Sequence, residues 1–141
     1  MTKNKAHAHW EGPLLSGVGQ VALASSQVAT FPIGWAARAE SVVGTTNPEE
    51  LIAAAHATCY SMALSNGLAN NGTPPESLET TCEIGFDPRV GLTGSHITVV
   101  GVVPDIDAEQ FAKFAEDASK NCPVSKALAG IPITLDASLK A

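Results

Sequence analysis

Glu49-Glu50-Leu51-Ile52-Ala53-Ala54-Ala55-His56-Ala57-Thr58-Cys59-Tyr60-Ser61-Met62-Ala63-Leu64-Ser65-Asn66-Gly67-Leu68 decides how this chain folds. From Leu51 to Pro75 there is no Asp, Glu, Lys or Arg, and a helix without a charged face is expected to be buried all round. Its start is marked by Asn47 as N-cap, Pro48 at the first helical position, and Glu49 and Glu50 at the positive end of the dipole. Asn70-Asn71-Gly72 and then Pro74-Pro75 end it. Asn71-Gly72-Thr73 matches a glycosylation sequon, but here it reads as the helix stop. Cys59 sits near the middle, and a second thiol, Cys122, recurs in Asn121-Cys122-Pro123-Val124-Ser125.

Outward from this helix, Ala6 to Glu11 alternates, with His7 and His9 on one face and Trp10 on the other. Gly17 to Ala24 and Trp35 to Val42 are weaker strands, separated by the turn signal Pro32-Ile33-Gly34. Downstream, Leu78 to Phe86 alternates, and the Val- and Ile-rich stretch Gly94 to Val103 is expected to pair with it. Asp107 and Gln110 form a capping box ahead of an amphipathic helix carrying Phe111, Phe114, Ala115 and Ala118. Pro123 breaks that helix, a short one runs on to Ala129, and Ile133 to Leu139 makes a last strand. Strand clusters interrupted by helices, with no regular βαβ rhythm, predict one α+β domain over residues 1–141 with mainly antiparallel sheets. A single amphipathic partner helix covers the charge-free helix poorly, so a homodimer is expected.

The chain has 141 residues, enough for one substantial core, and its 45% apolar and 16% charged content suits a folded rather than disordered protein. A net charge of −6 argues against nucleic acid and against anionic membrane as partners. The first ten residues lack a signal-peptide apolar stretch, and Leu51 to Leu64 is too short to span a bilayer, so a cytoplasmic location is expected. In a reducing compartment a disulfide is transient and catalytic rather than structural. Three cysteines without Cys-x-x-Cys spacing also weaken a structural zinc site.

Cys59, mid-helix, is too far from the helix N-terminus for the dipole to lower its pKa much, and burial would raise it; to react it needs an imported cation. Arg38, in the small, uncharged run Gly34-Trp35-Ala36-Ala37, is one source, with Glu49 as its carboxylate. On composition alone, an exposed strand face suits Arg38 better. Cys122, at a cap-like position before Pro123, suits an attacking or resolving thiol, or is a small capping residue without a redox role. Cys82 reads as core packing. His56, Cys59 and Cys122 would make three ligands of a metal site, a weaker reading because helix histidines more often pack or support other groups. No metal or other cofactor is expected. Leu51, Met62 and Phe111 are the apolar side chains expected to wall a pocket.

Thr46-Asn47-Pro48-Glu49-Glu50-Leu51-Ile52-Ala53-Ala54-Ala55-His56-Ala57-Thr58-Cys59-Tyr60-Ser61-Met62-Ala63-Leu64-Ser65 closely resembles the signature helix of the OsmC/Ohr family, with an opening and an Ala-Ala-His stretch like the OsmC branch. Cys122-Pro123-Val124-Ser125 resembles the family's second cysteine motif, and Ala8-His9-Trp10-Glu11-Gly12 and Ile133-Thr134-Leu135-Asp136 carry the likeness to both ends. Tyr60 stands where Phe is common in the family, and Asn121 where Gly is. The resemblance implies an intertwined homodimer whose sheets wrap two central helices. It implies a thiol-dependent peroxidase reducing organic hydroperoxides, and hydrogen peroxide less well, in stress defence. It makes Cys59 the peroxidatic cysteine, Cys122 the resolving cysteine, and Arg38 with Glu49 the activating ion pair. A dithiol reductant, of lipoyl type in related members, would recharge the disulfide.

Glu49 and Cys59 stand ten residues apart, about 15 Å along one helix axis and about 80° apart in direction. If the helix is straight, Glu49 of one chain is expected to serve Cys59 of the other. A non-catalytic dimeric stress or ligand-binding protein of the same fold is the alternative.

Overall fold

A computed structural model describes residues 1–40 and 42–140. The chain divides into two compact units, Met1–Leu51 and Ile52–Ala141.

In the first unit, β1 (His7–Glu11), β2 (Val18–Ala22) and β3 (Thr30–Ile33) form an antiparallel sheet in that order. Trp10 pairs with Gly19, and a Cβ there would lie 2.6 Å from the His9 carbonyl and 2.7 Å from the Trp10 ring, so only glycine lets the strands close. β1 is exposed throughout, as expected for an edge strand bearing His7 and His9.

Two expectations fail in this unit. Pro32 and Ile33 belong to β3 rather than to a turn. Proline is tolerated there because β3 is an edge strand, and its carbonyl accepts a bond from the Thr46 amide at 2.9 Å. The following stretch is not a strand either: Trp35–Ala39 is helix α1. Three alanines and an arginine in five residues favour helix over strand, and their small size mimics alternation. Ser41, in the same stretch, lies outside the described residues.

The long helix, α2, runs Pro48–Asn70. Asn47 caps it, its Oδ1 accepting from the Glu50 amide at 2.8 Å while its Nδ2 donates to the Ala37 carbonyl at 2.6 Å. At the other end Gly72 takes φ 82°; its amide bonds the Ala69 carbonyl at 2.9 Å, and the Thr73 amide bonds that of Leu68 at 3.0 Å. That is a Schellman closure, which a residue with a Cβ forms only under strain.

In the second unit, β4 (Ser77–Asp87) pairs antiparallel with β5 (Gly91–Val102), as expected. β6 (Ile133–Leu139) pairs parallel with β5, Ile97 facing Leu135. Alternation carries no strand direction, but a parallel neighbour needs a crossover, and α3 (Ala108–Asn121) with α4 (Pro123–Ala127) supplies it. The capping box of Asp107 and Gln110 is formed. One face of α2, with Tyr60, Leu64 and Leu68, packs on Ile97 and Val99 of β5 and on Phe111, Ala115 and Ala118 of α3. A Cβ on Gly101 would stand 2.9 Å from the Phe111 ring, so glycine seats that ring on the sheet.

The helix is not buried all round. His56, Tyr60, Leu64 and Leu68 are buried, whereas Ala54, Ala55, Thr58, Met62, Asn66 and Ala69 are exposed, Met62 at 69%. A missing charged face identifies a face without its own cover in this chain, not a face already covered. Phe111 is a core residue, not the pocket wall expected of it.

Candidate active site

Within the first unit, α1 and the first turn of α2 bring Arg38 and Glu49 together. Arg38 Nε donates to Glu49 Oε1 at 3.0 Å and to Oε2 at 3.2 Å, and its Nη2 lies 2.9 Å from Oε1. Glu49 is buried and the arginine side chain is one-third exposed. The exposed-strand reading of Arg38 is thereby overturned: the residue lies on a helix, aimed at a carboxylate, and a two-pronged guanidinium grip fixes orientation as well as charge.

Within the second unit, Cys59, Cys122 and Cys82 are all free thiols. Cys59 on α2 is half-buried against the core, and Cys122 is buried at the junction of α3 and α4. Cys59 neighbours the Cys122 side chain and the backbone of Val124. Burial raises the Cys59 pKa; the Val124 backbone opposes this, and the neighbouring Cys122 thiol raises it further. Cys122 is the N-cap of α4, its Sγ accepting from the Ser125 amide at 3.3 Å. The geometry therefore sets two thiols side by side, Cys59 on α2 and Cys122 at the break between α3 and α4.

A third group supports the site, as the preferred reading of a helix histidine expects. His56, one turn before Cys59 and fully buried, is bonded at both ring nitrogens: Nδ1 to Ser95 Oγ at 2.7 Å and Nε2 to Ser125 Oγ at 2.8 Å. Ser125 Oγ in turn lies 3.0 Å from Cys122 Sγ, and Ser95 Oγ 3.1 Å from Cys82 Sγ. Burial lowers the His56 pKa, so the ring is neutral at neutral pH. Burial likewise raises the pKa of Cys82, against the lowering effect of its bond to Ser95. Cys82 packs against the core, as expected, and also bonds Ser95. The metal reading loses its ring ligand, because both nitrogens of His56 are occupied by hydroxyls; among the described residues no cluster of metal-ligating side chains occurs. The signal in the sequence was a histidine in a charge-free helix; its two serine partners carried none.

The family model described as OsmC-like protein matches residues 41–136. This chain belongs to the OsmC family. Peroxiredoxin OsmC of Escherichia coli (strain K12) is 43% identical over 141 residues, covering 96% of each chain. Organic hydroperoxide resistance protein-like 1 of Staphylococcus saprophyticus is 33% identical over 98 residues, 67% of this chain and 68% of that one. The closer likeness to the first places the chain on the OsmC branch of the family. Among solved structures, an organic hydroperoxide resistance protein OsmC from Legionella pneumophila superposes with a TM-score of 0.74 at 21% identity, over 100% of this chain and 98% of the other. The organic hydroperoxide resistance protein OhrB of Bacillus subtilis does so at 0.65 and 25% identity, over 96% and 98%. The α+β architecture, with its mainly antiparallel sheets, is that of the OsmC family.

Proposed function

We propose that this chain is a thiol-dependent peroxidase that reduces organic hydroperoxides, and hydrogen peroxide less well, to alcohol and water in oxidative and osmotic stress defence. The observation that carries the reading is the placing of Cys59 and Cys122 as neighbours against one core. A relative named peroxiredoxin at 43% identity and a relative named for organic hydroperoxide resistance support it.

The Cys59 thiolate attacks the distal peroxide oxygen, the O–O bond breaks, and the alkoxide leaves to be protonated as alcohol. Cys59 is then a sulfenic acid. Cys122 attacks its sulfur, the S–O bond breaks, water leaves, and a Cys59–Cys122 disulfide forms before further oxidation. A dithiol reductant, with a lipoyl group as one chemical type, restores both thiols by exchange and becomes the disulfide itself.

Burial and the adjacent Cys122 oppose the thiolate of Cys59, so the reading assigns its stabilisation to Arg38, held in place by Glu49. On a straight helix Glu49 and Cys59 face different directions, so the ion pair of one subunit serves Cys59 of the other. The working unit is a homodimer, with residues 1–141 as one OsmC-like domain. The uncharged exposed face of α2, centred on Met62, supports an apolar subunit contact. No helix among the described residues is long and apolar enough to cross a membrane, and we place the protein in the cytoplasm.

The test mixes reduced protein with cumene hydroperoxide and a dithiol, comparing wild type with Cys59→Ser and Cys122→Ser. Peroxide consumption is expected to disappear in the first variant. Consumption that survives Cys59→Ser would sink the reading.

A further inference from the structure

His56 is buried in a line of hydrogen bonds that begins at the thiol which must shed a proton. From Cys122 Sγ the line runs 3.0 Å to Ser125 Oγ, 2.8 Å to His56 Nε2, and from Nδ1 2.7 Å to Ser95 Oγ, which lies 3.1 Å from Cys82 Sγ. Its three residues come from three different elements: Ser125 from α4, His56 from α2 and Ser95 from β5. Three elements converge on one imidazole, and no side-chain nitrogen or oxygen buried among the described residues is left without a partner.

A histidine used only to tie elements together needs no thiol at the end of its bonds. We propose that His56 is a positioning residue that, through Ser125, draws the proton from Cys122 as Cys122 closes the disulfide onto oxidised Cys59. This rests on the thiol-peroxidase reading given above.

The step balances. The Cys122 S–H proton passes to Ser125 Oγ while the Ser125 hydroxyl proton passes to Nε2 of His56. The Cys122 sulfur forms its bond to the Cys59 sulfur, the S–O bond of the sulfenic acid breaks, and the departing hydroxide takes a proton to leave as water. The imidazolium releases the proton it gained, so the net reaction is thiol plus sulfenic acid giving disulfide and water. The only oxidant consumed is the peroxide that made the sulfenic acid.

Burial favours the neutral ring between turnovers, which is the form able to accept a proton. Nδ1 then donates to Ser95 Oγ, a bond that strengthens when the ring becomes charged. The Ser125 amide at 3.3 Å remains to stabilise the nascent Cys122 thiolate. The titratable groups facing the ring are Cys82 on β4, 3.6 Å from Nδ1, and Cys122 beyond Ser125. Glu83, next to Cys82 on β4, acts electrostatically on Cys82; β5 and α4 present the hydroxyls of Ser95 and Ser125.

The test separates the two half-reactions. Reduced protein receives one equivalent of cumene hydroperoxide without reductant. Rapid quenching follows the Cys59 sulfenic acid by dimedone trapping and the Cys59–Cys122 disulfide by mass spectrometry, across pH 6 to 8. His56→Gln keeps hydrogen-bonding capacity but cannot take a proton. Its sulfenic acid is expected to form at the wild-type rate, with disulfide closure slowed about 10²-fold, the low end of what a positioned proton acceptor supplies. Closure should also become steeply faster with rising pH, as solvent hydroxide replaces the ring. Ser125→Ala leaves the backbone bond to Cys122 intact and removes only the relay hydroxyl, so it is expected to behave alike even if His56→Gln folds poorly. Closure at the wild-type rate with the wild-type pH profile in either folded variant overturns the proposal. A wild-type protein that forms no Cys59 sulfenic acid overturns the peroxidase reading itself, and the relay with it.

Discussion

Arg38 grips Glu49 with two nitrogens, Nε at 3.0 and 3.2 Å from the carboxylate oxygens and Nη2 at 2.9 Å from Oε1. A carboxylate held this way fixes the plane of the guanidinium, which a point charge on a flexible stem cannot copy. Arg38→Lys is therefore expected to fail nearly as badly as Arg38→Met. Under the proposed mechanism each lowers kcat/KM for cumene hydroperoxide by about 10²-fold, the scale of losing one preorganised charge-stabilising donor. Full activity in Arg38→Lys would show that orientation is irrelevant.

Glu49→Gln tests the other half of the pair. Removing one partner of a fully buried pair costs about 3–5 kcal/mol, and with Arg38 one-third exposed to solvent about 1–3 kcal/mol is expected here. Urea denaturation gives the stability loss, and peroxide assays on the folded fraction give the activity. An unchanged midpoint with unchanged activity would make the ion pair ornamental.

Cys122→Ser removes the resolving thiol and keeps an N-cap oxygen at that position. Cys59 should still react once with peroxide, but its sulfenic acid then has no partner. Excess hydroperoxide is expected to drive Cys59 to the irreversible sulfinic acid, while wild type stops at the disulfide. Intact-mass measurement separates the two. A Cys122→Ser protein that resists over-oxidation would assign resolution to another thiol, with Cys82 the next to examine.

Met62 stands at the centre of the exposed, uncharged face of α2 and is itself 69% exposed. Met62→Lys is expected to leave the single-chain fold intact, because most of the side chain already lies in solvent. Sedimentation velocity should instead show dimer giving way to monomer, with a parallel loss of peroxidase activity if the site is shared between subunits. A dimer undisturbed by that charge would move the subunit contact elsewhere.

The limits of α2 were legible because caps are local chemistry: Asn47, Pro48 and Gly72 state where backbone bonding starts and stops. The same locality made the capping box at Asp107 and the break at Pro123 readable. The direction of β6 was not readable, since alternation looks the same for either pairing. Trp35–Ala39 misled because alanines fit a strand pattern by default. For the site, residue types singled out Cys59 and Cys122, whereas the pairing of Arg38 with Glu49 rested on the family resemblance. Ser95 and Ser125 are ordinary in sequence and gain meaning only where β5 and α4 meet around His56. Long-range convergence of that kind has no signature in a linear pattern.

The buried ring also leaves a mark on stability. Burial lowers the His56 pKa below the ordinary 6.5, so the folded state resists a proton that the unfolded chain accepts. Above pH 6.5 both states hold the ring neutral, and His56 contributes no pH dependence. As pH falls below 6.5 the unfolded chain binds the extra proton, and the unfolding free energy drops by up to about 1.4 kcal/mol per pH unit until the folded-state pKa is reached. His56→Gln cannot titrate and loses this contribution whatever its absolute stability. Urea midpoints for both proteins at pH 7.5 and 5.5 isolate it as the difference between two pH shifts, cancelling every other titrating group. Wild type is expected to lose more stability than the variant between those values. Equal shifts would mean that the folded protein protonates His56 as readily as the unfolded chain does, and that the ring is not held neutral by its surroundings.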